Sequence, residues 1–195
     1  MEREIIFTGI GGQGIQLMAK VLAQAATNEG KQVMLFGVYG GAMRGSASES
    51  TLVIGDEEIE APPIVPHCWS VVAMHPNALA ALTLKLRPDG LLFINDTLVA
   101  GQPRSDLTTI PIPATRLAER NGNILGAGMV MLGAFVAQTG LVAIDSLVSA
   151  MRAALPAHRT RMADANAALL HVGADFVRAP HREGSAAESS GAGTC

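Results

Sequence analysis

Three glycines near the start of the chain have a spacing that could bind an anion. Gly9, Gly11 and Gly14 spell G-x-G-x-x-G within FTGIGGQGIQ, directly after an apolar run. In a dinucleotide-binding unit the first glycine makes the turn and the second lets backbone approach a pyrophosphate. The third lets helix and strand pack closely. A helix starting there adds unpaired N–H groups and partial positive charge. Here the motif is more particular, because Gly11-Gly12 is followed by Gln13, whose amide can donate and accept at once. Two readings stand: glycines that only shape a strand-to-helix turn, or a loop that also cradles a phosphate.

The other half of the dinucleotide fingerprint is missing. A carboxylate should end the second strand and hold the ribose hydroxyls. The candidate strand instead runs out through Leu35-Phe36-Gly37-Val38, with Glu29 before it and no arginine for a 2′-phosphate. No Gly-Lys-Ser/Thr follows the glycines, which excludes a P-loop. A second cluster follows, Tyr39-Gly40-Gly41-Ala42-Met43-Arg44-Gly45. Arg44 could hold a phosphate or carboxylate through two parallel hydrogen bonds, with Tyr39 covering it. Equally, it could be a surface arginine paired with Glu49. In a parallel sheet this loop leaves the carboxyl end of the second strand beside the glycine loop, the edge where open α/β sheets bind ligands.

The elements that must position these loops follow from periodicity and turn residues. Glu4–Gly9, Gln32–Gly37, Ser50–Gly55, Trp69–Met74 and Gly90–Asn95 read as strands, with a short one at Thr108–Pro111. Ile15–Glu29 reads as a helix stopped by Gly30, and Pro76–Leu86 as another with proline in its first turn. After Pro113 the pattern is helical, over Thr115–Asn121, Ile124–Gln138, Asp145–Leu155 and His158–Phe176. Alternating β and α with continuous apolar strands predicts a three-layer, Rossmann-like α/β domain with a mainly parallel sheet and a helical C-terminal part. Residues 1–177 read as one domain. The Gly-, Ser- and Ala-rich stretch 178–195 predicts a disordered tail. The small residues of Ile124–Gln138 suit close internal packing, with an interface as a second use.

Composition narrows the function. The 195 residues are 49% hydrophobic and 16% charged, with a net charge of −3 and no basic block, which argues against nucleic acid. The longest apolar stretch, Ile124–Ala137, is too short to span a bilayer. Glu2, Arg3 and Glu4 stand where a leader would be basic, and the two cysteines, Cys68 and Cys195, suit a reduced cytoplasmic protein. They cannot ligate an iron–sulfur cluster alone, and five scattered histidines offer no metal spacing or catalytic triad. Pro88-Asp89-Gly90, with Asn95 too close behind, reads as the turn before a strand rather than as a thiamine diphosphate motif. The chain by itself is expected to be inert, with no cofactor tightly bound and no metal.

The two loops in this order resemble the γ subunit, or γ domain, of the 2-oxoacid:ferredoxin oxidoreductases. The resemblance runs through Gly9–Gly14, Tyr39–Gly45, Ile59–Pro63, Val71–Met74, Gly122-Asn123, Met129–Ala134, Asn166 and Gly173. It implies a partner in a complex that oxidatively decarboxylates pyruvate, 2-oxoglutarate or a related 2-oxoacid to acyl-CoA. In that complex thiamine diphosphate, with its Mg ion, and iron–sulfur clusters lie on α- and β-type subunits, and ferredoxin or an equivalent carrier accepts the electrons. By the same resemblance Gly9, Gly11, Gly12, Gln13, Gly14, Tyr39, Arg44 and Gly45 face coenzyme A or a neighbouring subunit. The sequence departs from the family pattern at Ser46, Gly128 and His67-Cys68. The alternatives are a stand-alone Rossmann-like NAD(P) oxidoreductase and a structural partner with no ligand.

Overall fold

A computed structural model describes residues 1–39, 46–60, 64–101, 106–155 and 160–179. Its strands are β1 (Glu2–Ile10), β2 (Gln32–Tyr39), β3 (Ala47–Gly55), β4 (Cys68–Ala73), β5 (Leu86–Asn95) and β6 (Thr108–Ile112). Its helices are α1 (Ile15–Asn28), α2 (Leu79–Thr83), α3 (Ala114–Arg120), α4 (Ala127–Thr139), α5 (Ile144–Ala153) and α6 (Thr160–Arg178), with a 3₁₀ turn at Ile124–Gly126. One six-stranded sheet runs in the order β2-β3-β1-β4-β5-β6. β1, β4, β5 and β6 are mutually parallel, while β3 is antiparallel to both of its neighbours.

The place of β3 corrects the sequence expectation that β1 and β2 would lie side by side. β3 pairs with β1 along the whole strand, from Glu2 opposite Gly55 to Ile10 opposite Ala47. Its apolar run satisfies a central position, since Leu52 and Ile54 enter one core and Val53 the other. Both faces of the strand therefore bury side chains, as a strand inside a covered sheet requires.

The layers are unequal. On one face α1, α3, α4, α5 and α6 build the larger core with Phe7, Leu52, Val72 and Phe93. Phe135 of α4 sits at its centre, edge-on to Phe7, Trp69 and Phe93 at 6.2, 6.2 and 5.0 Å between ring centroids. The other face is closed by the single short helix α2 and by loop residues such as Val65, Val99 and Leu107. That third layer is thinner than the periodicity predicts. Pro76–Leu86 forms only one turn and a half of helix, because Ala78 enters with φ of 64° and Leu86 already belongs to β5.

α4 is buried along its length from Ala127 to Val136 and lies directly on α6. The two backbones touch through reciprocal glycines. A β-carbon at Gly133 would overlap the Leu170 carbonyl, and one at Gly173 would overlap the Val130 carbonyl. The small residues of this segment thus serve internal packing.

The connections set the functional edge. α1 carries the chain from β1 toward β2 across one face, whereas α2 carries it from β4 to β5 across the other. The winding reverses between β1 and β4, and the crevice at their carboxyl ends is the topological switch point where such sheets bind ligands.

Candidate functional site

The glycine loop stands at that crevice. Gly12 and Gly14 have φ of 101° and 75°, which side chains other than glycine rarely adopt. Gly14 starts α1 from the left-handed region; no side chain caps the helix, and no acidic residue lies in its first turn. That leaves an uncompensated helix N-terminus facing the crevice. The division of labour among the glycines differs from the expected one. The close approach falls on Gly9, where a β-carbon would stand 2.5 Å from Gln13 Oε1 and 2.7 Å from Ile15 Cδ1. The turn falls on Gly12 and Gly14.

Gln13 is built into the framework. Its Oε1 accepts the Ile10 N–H at 2.9 Å, and its Nε2 donates to the Met74 carbonyl at 3.1 Å. The amide thereby ties the end of β1 to the end of β4, leaving one N–H and one lone pair for other contacts. Gly11 donates its N–H to the Ser46 carbonyl at 2.9 Å, which brings the start of β3 against the loop. Gln16 was not singled out by sequence. Its Nε2 donates to the Glu49 carbonyl at 2.9 Å, and a β-carbon on Gly37 would stand 2.7 Å from its Oε1. A glycine inside a strand was the signal that something crosses it closely.

Of the second cluster, β2 ends at Tyr39. Arg44 and Gly45 lie outside the described residues, as does the side chain of Tyr39. Their flanks are fixed, however. Tyr39 pairs with Ser48, and Ser46 meets Gly11, so both flanks of the cluster stand at the edge that carries the glycine loop. The flanks of the second cluster reach the glycine loop through β3 and not through direct β1–β2 adjacency.

Further along the edge, the Asn77 N–H donates to His75 Nδ1 at 3.3 Å. Asn95, fully buried at the end of β5, bonds Thr115 at the start of α3. Among the described residues no group of three or more His, Cys, Asp or Glu could hold a metal ion. Cys68 is buried at the opposite, amino end of β4. Burial first, and the nearby Glu4 carboxylate second, push its thiol up to about 12, so it is no nucleophile at neutral pH.

Residues 4–176 match the model of the pyruvate ferredoxin/flavodoxin oxidoreductase family. The chain belongs to that family. Among the family's curated members, it is 34% identical over 164 residues to the 2-oxoglutarate synthase subunit KorC of Methanothermobacter marburgensis. That alignment spans 80% of this chain and 88% of KorC. It is 35% identical over 156 residues to the pyruvate synthase subunit PorC of the same organism, spanning 78% of this chain and 86% of PorC. The γ subunit of a keto/oxoacid ferredoxin oxidoreductase from Geobacter sulfurreducens superposes with a TM-score of 0.77 at 28% identity. It covers 91% of this chain and 99% of its own. A 2-oxoglutarate:ferredoxin oxidoreductase from Magnetococcus marinus, solved with 2-oxoglutarate, coenzyme A and succinyl-CoA, shares the fold. Its TM-score is 0.82 at 16% identity, over 92% of this chain and 31% of that one. Within the pyruvate ferredoxin/flavodoxin oxidoreductase family this chain is a γ subunit, one component of a multi-subunit 2-oxoacid:ferredoxin oxidoreductase. Among the described residues no helix is long and apolar enough to cross a membrane.

Proposed function

We propose that this γ subunit supplies an anion-binding rim for coenzyme A in the CoA-dependent oxidative decarboxylation of a 2-oxoacid such as 2-oxoglutarate or pyruvate. The observation that carries this reading is the uncapped N-terminus of α1 at the switch point, reached through Gly12 and Gly14 in left-handed conformations. Backbone N–H groups and the helix dipole there favour a phosphate. Gly9 and Gln13 hold the loop in place, Gly11 links it to Ser46, and Arg44, with Tyr39 and Gly45 beside it in sequence, supplies the positive charge. The coenzyme A in the Magnetococcus complex supports a binding function within this fold.

The rest of the reaction belongs to partners. Thiamine diphosphate with its Mg ion, bound on α- and β-type subunits, supplies the carbanion-stabilising chemistry of decarboxylation, and iron–sulfur clusters pass electrons to ferredoxin or an equivalent carrier. We place the assembly in the cytoplasm, in keeping with the free thiol of Cys68.

Arg44→Ala in the assembled enzyme tests the reading. The KM for coenzyme A rises about tenfold, the loss of about 1.4 kcal/mol expected for one charge-assisted contact, while kcat is retained. If the coenzyme A dependence of the variant is that of the wild type, the chain is a structural partner and the rim is not a ligand site.

A further inference from the structure

Two amides, Asn95 fully buried and Gln13 half-buried, converge on one backbone carbonyl beneath the glycine loop. The carbonyl of Met74 accepts from Gln13 Nε2 at 3.1 Å and from Asn95 Nδ2 at 3.5 Å, while the Met74 N–H donates to Thr8 at 2.8 Å. Asn95 has no solvent exposure. Its remaining capacity goes to α3: Nδ2 also donates to Thr115 Oγ1 at 2.8 Å, and Oδ1 accepts the Thr115 N–H at 3.2 Å. A fully satisfied buried amide fixes the geometry of every group it touches, because each alternative leaves a polar atom unpaired. Gln13 is itself confined from two sides. Gly9 leaves no room beside its side chain, and a β-carbon on Gly128 of α4 would stand 2.9 Å from its carbonyl oxygen.

We propose that Asn95 is a positioning residue for the rim: with Gln13 it clamps the Met74 carbonyl, and this clamp sets where residues 11–14 stand at the carboxyl edge. The chain of contacts runs from the start of α3 through Asn95 to the end of β4, then through Gln13 to the end of β1. Asn95 touches no ligand in this scheme. It acts through the loop, and the effect on coenzyme A rests on the function proposed above.

Asn95→Asp isolates one arm of the clamp. An aspartate still accepts the Thr115 N–H and can accept the Thr115 hydroxyl, but once ionised it cannot donate to Met74. Because burial holds such a carboxyl up, every measurement on this variant is made at about pH 9 as well as at neutral pH. In the assembled enzyme the expected result is a KM for coenzyme A raised about tenfold with kcat within about twofold, the size of one lost buried hydrogen bond. Amide hydrogen exchange over residues 11–17 speeds up by a similar factor. Both effects shrink as the pH falls and the aspartic acid regains a donor. Thr115→Ser, which keeps the hydroxyl, behaves as wild type. Gln13→Glu removes the other arm, and the double variant costs less than the two single effects added, because both act on one carbonyl. Unchanged exchange over residues 11–17 in Asn95→Asp overturns the clamp, as does strict additivity of the two substitutions. Faster exchange with an unchanged KM upholds the clamp and overturns the coenzyme A reading instead. If Asn95→Asp does not accumulate as folded protein, Gln13→Glu alone carries the exchange and KM measurements, and no change in its loop exchange overturns the clamp.

Discussion

At the scale of single residues, the amino end of the sheet shows how burial sets reactivity. Glu4 is a buried carboxylate paired with Arg87, and its second oxygen, Oε2, has no hydrogen-bond partner among the described residues. It sits close enough to Cys68 to add to the effect of burial on that thiol. The folded thiol titrates at about 12 against 9.0 for the free group. In that window the unfolded chain gives up its proton and the folded chain keeps it. The contribution to stability is whole below pH 9 and is lost as the pH rises toward 12, at roughly 1.4 kcal/mol per pH unit. Denaturant midpoints therefore fall between pH 8 and pH 10 in the wild type, and Cys68→Ala flattens that fall. Iodoacetamide at pH 8 leaves Cys68 unmodified in the folded chain and labels it once urea unfolds the protein. Rapid labelling under native conditions would show that the thiol is not sealed in the core.

At the scale of elements, the α4–α6 crossing makes a prediction whose sign opposes intrinsic propensity. In an exposed helix Gly→Ala stabilises by up to about 1 kcal/mol. At Gly133 and Gly173 the new methyl meets the backbone of the facing helix, which has no rotamer to change. Gly133→Ala and Gly173→Ala each destabilise the chain by about 2 kcal/mol or more in urea unfolding, as overpacking does. A gain in stability at either site would mean the helices are not in backbone contact. This crossing also marks what sequence can carry. The strands and most helices were legible from local periodicity to within a few residues, because an apolar run or a 3.6-residue stripe is a local signal. The glycine loop was legible for the same reason. The insertion of β3 between β1 and β2 was not, since pairing partners leave no mark in the spacing of one strand. The framework role of Gln13 was equally hidden: its acceptor, Met74, lies 61 residues away, and an amide looks the same whether it faces ligand or protein. Gly37, Gly133 and Gly173 advertised a close approach without saying to what.

At the scale of the whole molecule, the strand order decides between this family and a nicotinamide enzyme that opens with the same glycines. In a dinucleotide fold the ribose carboxylate stands at the end of the strand beside β1. Here that neighbour is β3, which runs the other way and presents its first residues, Ala47 and Ser48, at the carboxyl edge. β2 is one strand further out, roughly 10 Å from β1 at the usual strand spacing. A carboxylate at its end would stand one strand too far out to hold the ribose of a dinucleotide whose pyrophosphate sits on the glycine loop. The loop can therefore bind a phosphate without the adenosine contacts that make dinucleotide affinity. Titration with NADH or NADPH, followed by nucleotide fluorescence, gives no saturable binding up to about 1 mM, where even a weak complex of about 4 kcal/mol would register. The chain alone does not reduce an electron acceptor with pyruvate or 2-oxoglutarate, and activity returns only on reconstitution with the other subunits of the complex. Saturable NAD(P)H binding, or 2-oxoacid oxidation by the purified single chain, would return the glycine loop to a stand-alone oxidoreductase.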